Sequence, residues 1–371
     1  MSKNSTIWIS QGIGGNLGDV LLYKITSSFF AENNIPFLFQ YAARPLSVEK
    51  IKALSNYGNV IIGPGGMFVH TISSKNMYRL VLNDINLREF EEKGFNFVIF
   101  SGGILDKPTD EEISTAAKLF QRCKKIYTRA NIEIDNIKKI TPDVDIAFCP
   151  CGSLFTDKIM KVEHRKKDII VLNLDNLLFT AENYRDHPMK KFRDYALSQG
   201  LNCELLVNVH QTDYNEYLGD IFPVREVDLP IYKRVDEVVK SEQKTGYDFW
   251  HSFELPDDFV DRYNDCRFAF GKRLHGWLPF MSFDNPSAFI GMNARRQMPY
   301  DYFGDDTFLC GIPLKERLKK ENLELMTDMM IEKLKYFIKN ENLLCARIAA
   351  RREQLWVEFQ KHTREMFELM N

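Results

Sequence analysis

The chain has few cysteines and no concentrated charge, and its longest apolar runs are short. Seven cysteines in 371 residues, odd in number and without a CxxC pair, point to reduced thiols rather than a disulfide framework. Cys149 and Cys151 flank Pro150, but no second Cys/His pair follows at zinc-finger spacing, so both are expected to be structural and no metal site is predicted. The formal net charge is −2, with neither a basic stripe nor a basic tail. That disfavours nucleic acid as a partner. No segment reaches the roughly eighteen consecutive apolar residues of a transmembrane helix, and the opening MSKNSTIWISQGIGG lacks the apolar run and cleavage site of a signal peptide. A cytoplasmic protein is expected, with peripheral association at the inner face of the membrane left open. Solenoid-period repeats and low-complexity tracts are also missing.

What is present reads as alternating strands and helices. Ser5 to Ser10 is a β-branched and aromatic run, followed by the loop Gly12-Ile-Gly-Gly-Asn-Leu-Gly18-Asp19 and an apolar helix over Val20 to Phe30. The glycine spacing, GxGxxxG, fits the dinucleotide fingerprint poorly. The second strand, Pro36 to Tyr41, also lacks the acidic residue that would hold a ribose. A third strand over Asn59 to Ile62 ends in Gly63-Pro-Gly-Gly66, and a fourth over Phe97 to Phe100 ends in Ser101-Gly-Gly103. Glycines at successive strand ends allow close approach to the backbone. Helices are expected near Met77 to Lys93 and Asp110 to Cys123. A strand at Lys125 to Thr128 ends on Arg129, a helix starts at Asn131, and a strand covers Val144 to Phe148. This rhythm predicts a parallel, doubly wound α/β sheet.

The chain turns polar and basic between Thr156 and Lys167, and then the rhythm resumes. Strands are expected at Ile169 to Leu174 and Cys203 to Val209, a helix near Tyr184 to Gln199, and short units down to Asp265. From Leu314 two amphipathic helices split near Asn340, with Leu318, Leu325, Met329 and Phe337 as the core-facing stripe. Length alone favours two domains. The boundaries expected are 1–160 and 161–312 for two Rossmann-like units, with 313–371 as helices packed across both.

One stretch concentrates the chemistry. Cys266 to Arg296 reads as a short strand ending on Gly271, Lys272 and Arg273, an apolar helix from about Leu274, and a second strand over Ser287 to Gly291. Ligands of open α/β sheets bind beyond the carboxyl ends of the strands. Lys272, Arg273 and His275 crowd one such end with no Ser or Asp to cap the helix, a combination that favours a bound anion.

With these residues in view, the chain resembles the polysaccharide pyruvyl transferase family. Asn16-Leu-Gly-Asp19 looks like that family's N-x-G-D loop, Gly63-Pro-Gly-Gly66 like its glycine-rich strand end, and Asp145-Ile-Ala-Phe148 like its D-x-A-F segment. Tyr127-Thr-Arg129 falls where the family places an Arg after a strand, and Lys272-Arg-Leu-His-Gly276, followed by Asn285-Pro286, is the most specific match. Two departures stand out. Ala130 occupies a position that is often Asp, and Asn293, Ala294, Arg295 and Arg296 follow the last strand where the family often has a Lys, with Arg295 as the candidate substitute. The resemblance implies two Rossmann-like domains arranged as in B-type glycosyltransferases, and transfer of pyruvate from phosphoenolpyruvate to a sugar as a ketal. Phosphoenolpyruvate is then the donor substrate, with no separate cofactor, and the acceptor is a saccharide, lipid-linked forms included.

In that reading His275 moves protons, Arg273 clamps the donor and Asp19 accepts a hydroxyl proton, with helix capping as Asp19's alternative role. Asn16, Gly18, Gly65, Gly66, Gly103, Arg129, Lys272 and Arg295 would line the substrates. Two other readings stay open: a nucleotide-sugar glycosyltransferase of the same shape, and a glycan-binding protein without turnover.

Overall fold

The computed structural model describes residues 5–10, 16–42, 45–54, 56–69, 82–105, 110–174, 187–208, 221–225, 233–234, 237, 257–291, 294–311 and 320–370. They build an α/β protein with two parallel sheets. The first contains β1 (Ser5–Ser10), β2 (Phe37–Tyr41), β3 (Tyr57–Ile62), β4 (Gly65–Val69), β5 (Asn96–Leu105), β6 (Cys123–Thr128) and β7 (Ile146–Phe148), in the order β2-β1-β3-β5-β6-β7, with β4 paired to β5. The second runs β12 (Leu309–Cys310), β11 (Ser287–Ile290), β10 (Phe268–Gly271), β8 (Ile169–Asn173), β9 (Asn202–Leu205). Strands such as Ile7–Ile9, Val60–Ile62 and Ile170–Leu172 are fully buried. Their continuous apolar runs suit a sheet covered by helices on both faces.

The helices that bear on the site are α1 (Leu17–Glu32), α5 (Asn131–Ile140) and α10 (Met298–Phe303). The long C-terminal helix, α11 (Lys320–Met370), breaks at Asn340, whose φ of −116° and ψ of 18° leave the helical region. This agrees with the expected split. Its apolar stripe differs: Leu325 is 50% exposed, and the core is met instead by Leu323, Met326, Met330, Leu334 and Phe337. Leu325 lies two positions from Leu323 and one from Met326, so it falls outside the three- and four-residue rhythm of that buried row. Leu318 lies outside the described residues. Phe359 packs its ring on Phe29, Phe100 and Phe155 beside the first sheet, while Phe337 packs on Phe268 and Phe270 of the second. The C-terminal helix therefore joins both sheets.

The basic stretch between Thr156 and Lys167 is neutralised by ion pairs. Lys158 pairs with Glu353, Lys161 with Glu32, Arg165 with Asp261, Lys166 with Glu341 and Lys167 with Asp265. Most of these partners belong to the second half or to α11, so the stretch docks onto its neighbours instead of presenting a free cationic face.

Three further expectations change. β5 does not stop at Phe100 but runs through Ser101-Gly-Gly103 to Leu105, because β4 supplies ladder partners for it: Gly65 pairs with Gly102 and Gly66 with Gly103. The helices expected at Met77 to Lys93 and Tyr184 to Gln199 are described as Asp84–Glu92 and Met189–Ser198; 70–81 and 175–186 lie outside the described residues, as does most of 209–256. The third change concerns the stretch after β10. Leu274–Gly276 is a single 3-10 turn, and the α-helix, α9, covers only Leu278–Met281. Pro279 explains this, since proline has no N–H to donate and its ring clashes with the carbonyl four residues back; a helix cannot run from Arg273 through it. The start of the helix expected from about Leu274 is thus replaced by a tight turn.

Candidate active site

Both halves of the site begin at carboxyl ends of strands. After β1, Asn16 is the N-cap of α1: its Oδ1 accepts from the Gly18 N–H at 3.0 Å, and its Nδ2 donates to Asp19 Oδ2 at 2.9 Å. The capping role open to Asp19 therefore belongs to Asn16, which leaves the Asp19 carboxylate in the first turn of the helix, where the partial positive charge favours it.

After β10, the segment Lys272–Gly276 is folded tightly over the end of β8. A Cβ on Gly271 would lie 2.1 Å from the Gly276 carbonyl oxygen, and a Cβ on Gly276 would lie 2.4 Å from Asn173 Oδ1. Only glycine permits either approach. Lys272 N–H donates to the Asn173 carbonyl at 2.9 Å and Arg273 N–H to its side-chain oxygen at 3.1 Å. Lys272 and Arg273 are both partly exposed.

These two ends meet. A Cβ on Gly18 would stand 2.7 Å from His275 Cβ and 2.8 Å from its Nδ1, so the glycine's missing side chain is the space the imidazole occupies. His275 is only 7% exposed. A bond from Leu17 N–H to the Asn208 carbonyl, 2.8 Å, ties the same helix start to the chain beyond β9. The carboxyl ends of the two sheets thus face each other across α1's first turn.

Arg129 ends β6 on the same edge. It is 3% exposed, and its Nε has no hydrogen-bond partner among the described residues. Burial opposes its charge, but Glu133, Cys151, Tyr302 and Asp19 around it outweigh that and raise its pKa. A fixed, desolvated guanidinium with an unspent donor suits an anionic ligand. Tyr302 Oη donates to the Arg129 carbonyl at 3.0 Å and accepts from the Cys151 N–H at 2.9 Å. Ala130 gives α5 no side-chain cap; Asp301 supplies one instead, accepting from Asn131 N–H at 2.9 Å and Asn131 Nδ2 at 3.0 Å.

The glycine ends lie on this edge too. Gly63 has φ 101° and a Cβ there would fall 2.3 Å from the Phe100 carbonyl oxygen. Gly65, Gly66 and Gly103 sit in the β4/β5 ladder rather than in open loops. The backbone of Arg295 lies in a 3-10 turn, Ala294–Gln297, after β11, and its side chain is outside the described residues. Arg296 is structural: its Nη1 donates to the carbonyls of Gly291 at 2.6 Å and Gly311 at 2.8 Å.

A sequence profile of the polysaccharide pyruvyl transferase family matches residues 16–292. The chain belongs to that family. The match spans both halves of the site, from the Asn16 cap to the end of β11. No curated protein matches in sequence. Among solved structures, a glycosyltransferase from Rickettsia africae is 9% identical over 99% of this chain and 98% of its own, with a TM-score of 0.53. A UDP-GlcNAc 2-epimerase from Methanocaldococcus jannaschii is 11% identical over 88% and 92%, with a TM-score of 0.44. An uncharacterized protein from Klebsiella pneumoniae is 14% identical over 84% and 94%, with a TM-score of 0.46. At such identities the first shows the fold alone, that of a B-type glycosyltransferase.

Among the described residues, no group of three or more His, Cys, Asp or Glu side chains could hold a metal ion, and no helix is long and apolar enough to cross a membrane. All seven cysteines are free; Cys149 and Cys151 are fully buried, and burial pushes the Cys149 thiol well above its usual range.

Sequence reasoning overlooked Asn173, Asn208 and Tyr302. Asn173 carried a signal, being the first polar residue closing the apolar run of β8 at its carboxyl end. Asn208 and Tyr302 are set by contacts across the two halves, which no local pattern records.

The Gly18 contact gives a direct test of the site's assembly. Alanine is the better helix former by about 1 kcal/mol, yet in Gly18→Ala its Cβ must displace the His275 ring. We expect unchanged circular dichroism and a loss of turnover of about tenfold or more, read with purified protein. Parent-like turnover would show that the ring's position is not set by this contact.

Proposed function

We propose that this family member transfers pyruvate from phosphoenolpyruvate to two hydroxyls of a sugar, forming a ketal during assembly of a surface polysaccharide or glycan. The observation that carries the reading is the contact of the His275 ring with Gly18, which brings the Lys272–Gly276 turn against the helix start that bears Asp19; Arg129 follows β6 in the same sheet as β1 and lies close enough to Asp19 for their charges to interact.

The chemistry balances with these groups. A proton adds to the methylene carbon of phosphoenolpyruvate and becomes part of a methyl group. The central carbon gains positive character, and one sugar hydroxyl adds to it, giving up its proton. The second hydroxyl then displaces phosphate from the same carbon, and its proton leaves with the phosphate. Two hydroxyl protons are released; one is consumed at the methyl carbon and one by phosphate. His275 is suited to carry the proton to and from the donor, and Asp19 to take the first hydroxyl proton. Arg273, Lys272 and Arg129 hold the carboxylate and phosphate and absorb charge as phosphate leaves. The scheme uses no separate cofactor. A lipid-linked acceptor at the inner face of the membrane fits the same scheme.

The test is release of inorganic phosphate from phosphoenolpyruvate across a panel of nitrophenyl and lipid-linked glycosides, beside thermal stabilisation by phosphoenolpyruvate, UDP and GDP. Acceptor-dependent phosphate release with stabilisation by phosphoenolpyruvate is the expected result. Stabilisation by UDP or GDP with no response to phosphoenolpyruvate would overturn the reading in favour of nucleotide-sugar transfer.

A further inference from the structure

Asn173 is 0% exposed at the carboxyl end of β8 and is tied to three neighbouring segments. Its backbone carbonyl accepts from Lys272 N–H at 2.9 Å, its Oδ1 accepts from Arg273 N–H at 3.1 Å, and its Nδ2 donates to the Leu206 carbonyl at 3.0 Å. Gly276, directly after His275, is packed onto the same amide so closely that no other residue fits. Two residues beyond Leu206, the Asn208 carbonyl receives the Leu17 N–H that starts α1, and Gly18 of that helix abuts the His275 ring. The contacts close a circuit: from Asn173 to the Lys272–Arg273 pair, to His275, to Gly18 and Leu17, to Asn208, and through Leu206 back to Asn173.

We infer that Asn173 is a positioning residue that sets the placement of both Arg273 and His275. Its side-chain amide both accepts from the turn and donates to the chain just beyond β9, so one residue fixes two elements. Aspartate keeps the acceptor for Arg273 but loses the donor to Leu206, and alanine loses both. The inference uses the catalytic roles proposed above for Arg273 and His275, but the geometry it asserts does not depend on the substrate.

The experiment compares the parent with Asn173→Ala and Asn173→Asp. The readouts are melting temperature, phosphate release from phosphoenolpyruvate per folded molecule, and the NMR signal and titration of the His275 ring, identified by its loss in His275→Ala. We expect the His275 signal and its titration midpoint to shift in Asn173→Ala, turnover to fall about a hundredfold, as misplacement by about an ångström can cost, and Asn173→Asp to recover part of both. A His275 signal that coincides with the parent's in folded Asn173→Ala, or in folded Asn173→Asp should alanine not fold, overturns the inference. So does parent-like turnover per folded molecule. If the parent releases no phosphate from phosphoenolpyruvate with any acceptor, the proposed reaction fails, and the His275 signal still decides the role of Asn173.

Discussion

His275→Ala is expected to remain folded, to keep binding phosphoenolpyruvate, and to lose pyruvyl transfer by about a hundred- to ten-thousandfold, the usual loss for a positioned acid–base group. The site's geometry supports the kinetic part. The ring fills the space beside Gly18, carried by a turn that Gly271 and Gly276 allow to fold tightly. Because the side chain is 7% exposed, its removal also leaves a small void, and a stability loss of about 0.5–3 kcal/mol accompanies it. The two effects separate cleanly when turnover is normalised to folded protein at a temperature well below the melting transition. Early melting with parent-like turnover per folded molecule would make His275 a packing residue and remove the proton carrier from the proposed reaction.

Much of the scaffold was legible because parallel strands buried on both faces leave continuous apolar runs, and β1, β8 and β11 were recognisable on that basis alone. The order of short motifs at their carboxyl ends then indicated the family. Legibility failed where the deciding contact is remote. The break of the helix after Arg273 was readable in principle from Pro279, but the reason the turn tolerates such closeness is Asn173, a hundred residues earlier. The strand through Gly102 and Gly103 exists because β4 pairs with it, and β4 itself is a glycine-led segment without a strand-like start. Asp301 caps α5 from 170 residues away, so the absent Asp at position 130 could not be judged from its neighbourhood. Leu325 was misplaced because several rows of a long helix read as apolar, and only the packing partners select which row is buried.

Arg129 is expected to serve affinity for the donor more than the chemical step, and its burial dictates how that must be measured. Glu133, 1% exposed and one turn further along, is among the groups that keep Arg129 charged. Removing the guanidinium alone in Arg129→Met takes away the positive charge that acts on the buried Glu133, and removing one of two interacting buried charges costs up to about 3–5 kcal/mol. The loss of folded protein would then mask any effect on binding. Replacing both groups, Arg129→Met with Glu133→Gln, removes both buried charges and should recover most of the lost stability. Donor affinity should not recover: a lost charge-assisted bond to phosphate or carboxylate is worth about 1.5–3 kcal/mol, or about ten- to hundredfold in the Michaelis constant for phosphoenolpyruvate. Turnover at saturating donor should change far less, the pattern of a group that binds ground state and transition state alike. If the stabilised double variant keeps the parent's Michaelis constant, the unspent Nε of Arg129 faces no donor, and the anion must be held by Lys272 and Arg273 alone.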